Sequence, residues 1–215
     1  MYSKDHEARS TVGIQMIGEL LAQGIRLFSG VQARWIGCRP EISQRVYFAN
    51  HTSNLDFLVL WSVLPRKVRR TVHPVAASDY WRKGPIRFFL ADSVFRGILI
   101  EREKVTRSNN PLAQLVAVLK AGESLIIFPE GGRTIDTTMK PFKSGLYHLG
   151  RAMPSVELVP VYIDNASRIL PKGEFLPIPL LCSVNIGAPI HVGAAESKEA
   201  FLDRARAAVE DCSHT

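Results

Sequence analysis

A histidine and an aspartate five positions apart carry the clearest chemical potential in this 215-residue chain: His51 and Asp56, in Asn50-His51-Thr52-Ser53-Asn54-Leu55-Asp56. The apolar run Val46-Tyr47-Phe48-Ala49 before them reads as a strand, and an apolar helical pattern starts after them. His51 then sits on a strand-to-helix turn, and the first helical turn folds Asp56 back toward it. A carboxylate on Nδ1–H fixes the imidazole tautomer and leaves Nε2 as a base. General-base help of this kind gives about 10²- to 10⁴-fold in rate. A second reading needs no catalysis: Ser53-x-x-Asp56 is a capping-box pattern, with Ser53 as the helix cap and His51 bonded to a backbone carbonyl. A third makes Ser53 a nucleophile activated by His51, although no Gly-x-Ser-x-Gly elbow surrounds it. Spacing alone leaves all three open.

The second chemical stretch is Phe128-Pro129-Glu130-Gly131-Gly132-Arg133-Thr134, directly after the apolar strand Ser124–Phe128. Two glycines at a strand end let backbone amides approach an anion. Arg133 adds a planar fork suited to phosphate oxygens, at about 1.5–3 kcal/mol per charge-assisted contact. Thr134 supplies a further donor. An ordinary Gly-Gly turn with a solvated arginine accounts for the same residues. Neither nucleotide signature, Gly-x-x-x-x-Gly-Lys-Ser/Thr or Gly-x-Gly-x-x-Gly, is present. A third basic group, Arg102, ends the short apolar run that starts at Gly97, with Lys104 and Arg107 close behind.

These residues need a frame, and the pattern supplies one. Strands are expected at Gln32–Gly37, Arg45–Ala49, Thr71–Ala77, Ile98–Arg102, Ser124–Phe128, Val156–Ile163 and Val184–Val192. Helices are expected over Leu55–Leu64, Asp79–Ala91, Pro111–Ala121, Lys143–Met153 and Glu196–Glu210. Strand–helix alternation of this kind gives a single α/β domain with a largely parallel or mixed sheet flanked by helices. Chemistry in such folds gathers at loops beyond the strand ends, where both suspicious loops fall. The chain divides into an N-terminal segment, 1–31, and a domain, 32–215. In the first, Gln15, Glu19, Gln23 and Arg26 recur on one helical face, and Ile14, Ile17, Leu21, Ile25 and Phe28 on another. That is an amphipathic helix, fit to cover a core or to lie in a membrane interface, rather than a span.

Apolar residues make up 46% and charged residues 22%, which excludes a disordered chain and a bulk membrane protein. Lys and Arg outnumber Asp and Glu by 27 to 20, which favours anionic partners without choosing among them. Cys38, Cys182 and Cys212 show neither disulfide nor zinc spacing.

Taken in order along the chain, the motifs resemble the glycerolipid acyltransferases typified by 1-acyl-glycerol-3-phosphate acyltransferase. Asn50-His51 to Asp56 is similar to their first block, and Gly97 to Arg102 to their second. Phe128 to Thr134 resembles their third, and Val159-Pro160-Val161-Tyr162 their fourth. Pro141-Phe142-Lys143-Ser144-Gly145 looks like the segment after the third block. The resemblance implies that His51 takes the proton of an acceptor hydroxyl as it attacks an acyl thioester, with Asp56 orienting it and no covalent acyl-enzyme. It implies an acceptor phosphate and glycerol site at Arg102, Glu130, Gly131, Gly132, Arg133 and Thr134. Asn50, Ser53, Gly97, Lys143 and Pro160 stand in support. It implies no cofactor and no metal: acyl-carrier protein or coenzyme A brings the acyl group as co-substrate. A lysophospholipid is the expected acceptor and nucleic acid is not a partner. The enzyme is expected on the cytoplasmic face of the membrane, peripheral or interfacially anchored. Arg66, Lys67, Arg69 and Arg70 offer a surface for anionic lipid or an acidic carrier, or a solvated loop. The chain departs from the family at Gly132, where threonine is commoner, and at Leu99 and Glu101, where Phe and Asp are usual. These departures leave the chemistry intact and a lyso-aminolipid as the alternative acceptor; a non-catalytic lipid-binding module is a separate rival reading.

Overall fold

The computed structural model describes residues 2–101, 110–134, 138–164 and 182–214, with backbone alone for 2–11. Seven strands form one sheet: β1 (Gln32–Trp35), β2 (Arg45–Ala49), β3 (Val72–Ala77), β4 (Ile98–Ile100), β5 (Ser124–Ile127), β6 (Glu157–Asp164) and β7 (Ser183–Ile186). Their order across the sheet is β1-β7-β6-β2-β5-β3-β4. β6, β2, β5, β3 and β4 run parallel; β7 is antiparallel to β6, and β1 follows β7. The sheet is therefore mixed, inside a single α/β layer system as the alternation predicts.

The side-chain period of two explains the continuous apolar runs. In β2, Val46 and Phe48 join one core with Leu125, Ile127, Leu146 and Leu149, while Tyr47 and Ala49 join the other with Ile126, Val59, Leu60 and Trp61. Both faces are covered, so Val46 through Ala49 are all fully buried. A side chain of this size contributes about 1.5–3 kcal/mol when buried. β2 is followed by α2 (Asp56–Val63), on the Tyr47 face, and β5 is followed by α7 (Gly145–Ala152), on the Phe48 face. Two adjacent parallel strands thus send their chains to opposite faces. This leaves a crevice beyond their carboxyl ends, the favoured ligand position in an open α/β sheet. The remaining helices are α1 (Tyr2–Ser29), α3 (Arg66–Arg69), α4 (Ser78–Trp81), α5 (Pro85–Phe89), α6 (Pro111–Lys120) and α8 (Lys198–Asp211).

Several expected boundaries shift for local reasons. The helix expected over Asp79–Ala91 is broken into α4, α5 and a π-helical turn at Leu90–Val94. Gly84 has φ +114° and Pro85 opens α5, and a residue before proline is pushed out of the α region. The strand expected to reach Val192 ends at Ile186, and only an isolated bridge, Leu158 to Ile190, lies beyond. Gly187 and Pro189 intervene, and proline has no N–H for the ladder. α2 begins at Asp56, one residue later than expected, and Ser53 is not its N-cap. Arg102, with Lys104 and Arg107, lies outside the described residues.

α1 packs one side of its surface on the domain. Gly18, Ala22 and Ser29 are its buried line, with Leu21 and Ile25 packed beside them. Its polar residues turn inward at the edge of that line. Arg26 Nε donates to the Ser62 carbonyl at 2.6 Å, and Glu19 pairs with Arg69 at 2.6 Å and Arg66 at 3.2 Å. Ile17 and Phe28, on the apolar stripe of the sequence, are exposed, together with Val12, Met16, Leu20 and Leu27, while Leu21 and Ile25 of the same stripe are packed. The basic surface expected at Arg66–Arg70 is largely spent on this contact. Arg69 is buried against Glu19, the Ser62 and Leu64 carbonyls and the Trp61 ring, and Arg70 bonds Gln15.

Candidate active site

The loop after β2 is built around one oxygen atom. Asp56 Oδ2 lies 2.9 Å from His51 Nδ1, and it accepts from the Thr52 N–H at 2.6 Å and the Ser53 N–H at 2.8 Å. With backbone donors already on that oxygen, it serves as an acceptor, so the imidazole hydrogen belongs on Nδ1. Nε2 has no partner among the described residues. The capping reading and the dyad reading thus describe the same carboxylate, which ties down the turn and the ring together. Asp56 is fully buried, and its Oδ1 has no hydrogen-bond partner among the described residues. The Ser53 hydroxyl accepts from the Leu55 N–H at 3.2 Å, closing a small turn instead of capping the helix.

Phe128 fixes the ring from the other side. It stacks on His51 with centroids 4.4 Å apart and planes 26° from parallel. The strand β5 delivers Phe128 because it lies next to β2 in register, Phe48 opposite Ile127. The loops after these strands are cross-linked. Glu130 Oε1 accepts the His51 N–H at 2.7 Å, and the Thr134 N–H donates to the His51 carbonyl at 2.7 Å. Glu130 Oε2 accepts from the Thr134 hydroxyl and from the Lys140 N–H, the latter at 3.0 Å. Asn50 grips β6 in both directions, donating to the Ile163 carbonyl at 2.9 Å and accepting the Ile163 N–H at 2.8 Å.

His51 borders a cavity of about 480 Å³. Gly131, Gly132, Arg133, Lys143 and Gly97 line it as well, so the structure brings five of the expected residues together with His51. Gly131 has φ +71°, a left-handed conformation glycine adopts without strain. A Cβ there would lie 2.5 Å from Lys143 Nζ, so the lysine side chain passes directly over the glycine. Arg133 and Lys143 are exposed, and they carry cationic heads to the rim. Glu130 and Thr134 do not line this cavity. Both are buried, and Glu130 is committed to holding the loop rather than open to an acceptor. Pro160 lies in β6 opposite Phe48, buried and away from the cavity, with its carbonyl accepting from Gly187 N–H at 2.9 Å. Among the described residues, no cluster of His, Cys, Asp or Glu forms a metal site.

The rest of the cavity was invisible to sequence reading. Phe57, Trp81 and Phe95 form an aromatic wall, packed edge to face at 5.2–6.3 Å. Leu112, Leu115, Leu146 and Leu149 supply an aliphatic one. In sequence such residues look like any core residue, since periodicity marks what is inward and not which inward space stays open. Phe128 sits within the third motif, at the end of the apolar run of β5, and that position was the one available signal.

A carboxylate-held histidine with a free nitrogen thus borders an apolar cavity with a cationic rim, beyond the carboxyl ends of the strands of a mixed sheet. The Acyltransferase family profile matches residues 38–164, and the chain belongs to that family. It is 29% identical over 155 residues to the 1-acyl-sn-glycerol-3-phosphate acyltransferase of Haemophilus influenzae, covering 63% of this chain and 61% of that protein. It is 24% identical over 181 residues to the protein of the same name from Limnanthes douglasii, covering 82% and 60%. The chain spans about three fifths of the length of these curated relatives. The crystal structure of the 1-acyl-sn-glycerophosphate acyltransferase PlsC from Thermotoga maritima shares its fold. The TM-score is 0.72 at 20% identity, over 97% of this chain and 82% of that one.

Proposed function

We propose that this protein moves a fatty acyl group from a thioester to the free hydroxyl of 1-acyl-glycerol-3-phosphate, giving phosphatidic acid. The observation that carries this reading is the free Nε2 of a carboxylate-held His51 facing a largely apolar cavity with Arg133 and Lys143 at its rim. The acceptor oxygen attacks the thioester carbonyl while Nε2 takes its proton. The tetrahedral intermediate then expels the thiolate, the C–S bond breaks, and the imidazolium returns the proton to sulfur. Asp56 holds the ring and stabilises its cationic form. Arg133 and Lys143, with Arg102, bind the acceptor phosphate, and the apolar walls take acyl chain. Acyl-carrier protein or coenzyme A delivers the thioester as a co-substrate.

The acceptor lives in a bilayer, and no helix among the described residues is long and apolar enough to cross one. The outward face of α1, with Val12, Met16, Leu20 and Leu27 exposed and uncharged, supports peripheral docking on a membrane surface. The test is an acyl-transfer assay that crosses lysophosphatidic acid and a lyso-aminolipid with both thioester donors. Product with lysophosphatidic acid, lost in His51→Ala, is expected. Transfer to the lyso-aminolipid alone, or turnover in His51→Ala close to that of the parent protein, would overturn the reading.

A further inference from the structure

α5 is the least supported element of the described fold. All eight residues from Arg82 to Phe89 are exposed, and α5 buries none of its own five. A helix that short does not persist on propensity, and it has no core contact to hold it. Yet it displays Ile86, Phe88 and Phe89, exposed by 74%, 43% and 41%. Three large apolar side chains in four positions are more than the scattered single exposures of a soluble surface. Arg87 lies among them, Arg82 and Lys83 come just before, and no acidic residue falls in the stretch; Asp79 and Asp92 flank it. The Arg87 guanidinium lies over the Tyr80 ring at 4.9 Å, a cation held against an aromatic at one end of the patch.

The position of the patch gives it meaning. Tyr80 and Trp81 just before it, and Ala91 and Phe95 just after it, line the same cavity as His51. α5 therefore hangs from the cavity wall at both ends. Gly84 and Pro85 break the chain at its start and turn it outward. Aromatic and aliphatic side chains with interspersed arginine and lysine fit the boundary between lipid headgroups and acyl chains: the rings enter the apolar layer, and the cations stay at the phosphates.

We propose that α5 is a bilayer-inserting element at the entrance of the cavity, with Ile86, Phe88 and Phe89 entering the acyl layer and Arg82, Lys83 and Arg87 meeting anionic headgroups. It places the entrance at the membrane surface, so a lysolipid enters without crossing water. The inference rests on the lipid-acceptor reading for its purpose, but vesicle binding tests it without any acyl transfer. An acidic carrier protein would also favour the cations, but three large apolar side chains in four positions on a five-residue helix favour the acyl layer.

The experiment measures sedimentation of the 215-residue chain with phosphatidylcholine vesicles, alone or containing roughly a third phosphatidylglycerol. The triple variant Ile86→Ser, Phe88→Ser, Phe89→Ser is expected to lose at least about tenfold in partition to both vesicle types. Its turnover of a monomeric short-chain acceptor in free solution should stay unchanged. Arg82→Gln, Lys83→Gln, Arg87→Gln should lose the preference for anionic vesicles and keep the neutral binding. Phe88→Trp, Phe89→Trp should hold or raise the partition, a readout that survives if the serine variant misfolds. Unchanged partition in the folded serine variant overturns the proposal. So does a serine variant that slows only with the carrier-protein donor while vesicle binding persists. Vesicle binding without turnover in the parent protein would refute the acyltransferase reading and leave α5 as a membrane contact.

Discussion

Asp56→Asn separates the two jobs that one carboxylate holds. Its Oδ2 accepts from two backbone N–H groups and from His51 Nδ1. An asparagine oxygen can take over all three bonds, because it is a good acceptor at helix starts. If holding the turn were the whole role, the variant would keep both stability and rate. The dyad role adds a charge. As His51 becomes imidazolium, unit charges about 4 Å apart attract by about 4 kcal/mol at an effective dielectric of 20. His51 is 19% exposed and Asp56 is not exposed at all, so only part of that attraction is screened. Losing half to all of it slows the chemical step by about 30-fold to about 10³-fold. The fold should lose no more than about 1–2 kcal/mol, since the amide nitrogen then occupies the place of the already unpartnered Oδ1. The assay is initial-rate product formation by mass spectrometry at saturating donor and acceptor, beside thermal unfolding. In the double variant with His51→Ala, the two losses should not add, because the pair acts as a unit. A folded Asp56→Asn protein within about threefold of the parent kcat would refute the charge argument and leave Asp56 a turn-holder.

Arg133→Ala should raise the apparent KM for the phosphorylated acceptor by about tenfold or more, with kcat nearly kept, as befits a charge-assisted phosphate contact; an unchanged KM removes Arg133 from the phosphate site. Glu130→Gln should instead loosen the whole loop, since the Lys140 N–H loses its acceptor. A loss of about 1–3 kcal/mol in unfolding free energy is expected, with KM rising for donor and acceptor together. A KM change confined to the acceptor would show that Glu130 meets it directly. Burial, with the charges of Asp56 and Asp164, pushes the Cys182 thiol up to about 12, and burial with Asp211 pushes Cys212 to about 11. A thiol reagent at about pH 8 should therefore modify at most Cys38 in the native protein and all three cysteines once it is unfolded; rapid native labelling of Cys182 would contradict its burial.

Much of the frame was legible in the residues. Both faces of β2 and β5 are covered, so apolar side chains fill them without a gap, and the runs at Val46 and Leu125 announce buried parallel strands. The five-residue step from His51 to Asp56 spans one tight turn, and local chain geometry is enough to close it. What only the tertiary structure decided is everything that depends on which surfaces meet. Register between β2 and β5 brings Phe128 over the His51 ring and ties Glu130 to the His51 backbone, 79 positions apart in the chain. The family resemblance implies an acceptor site along the whole third motif, yet folding sends Glu130 inward and leaves Arg133 at the rim, because the turn at Gly131 points successive side chains in different directions. Arg69 and Arg70 look like free charges until α1 arrives with Glu19 and Gln15. Likewise, the periodicity of α1 marks two faces but not which one finds a core, and Leu20, Leu27 and Phe28 stay outside because α2 and α3 accept the opposite side. Sequence fixes the local turn and the alternation, since those depend on neighbouring residues. Partner surfaces set the rest, since burial and charge pairing are settled between segments that are far apart in the chain.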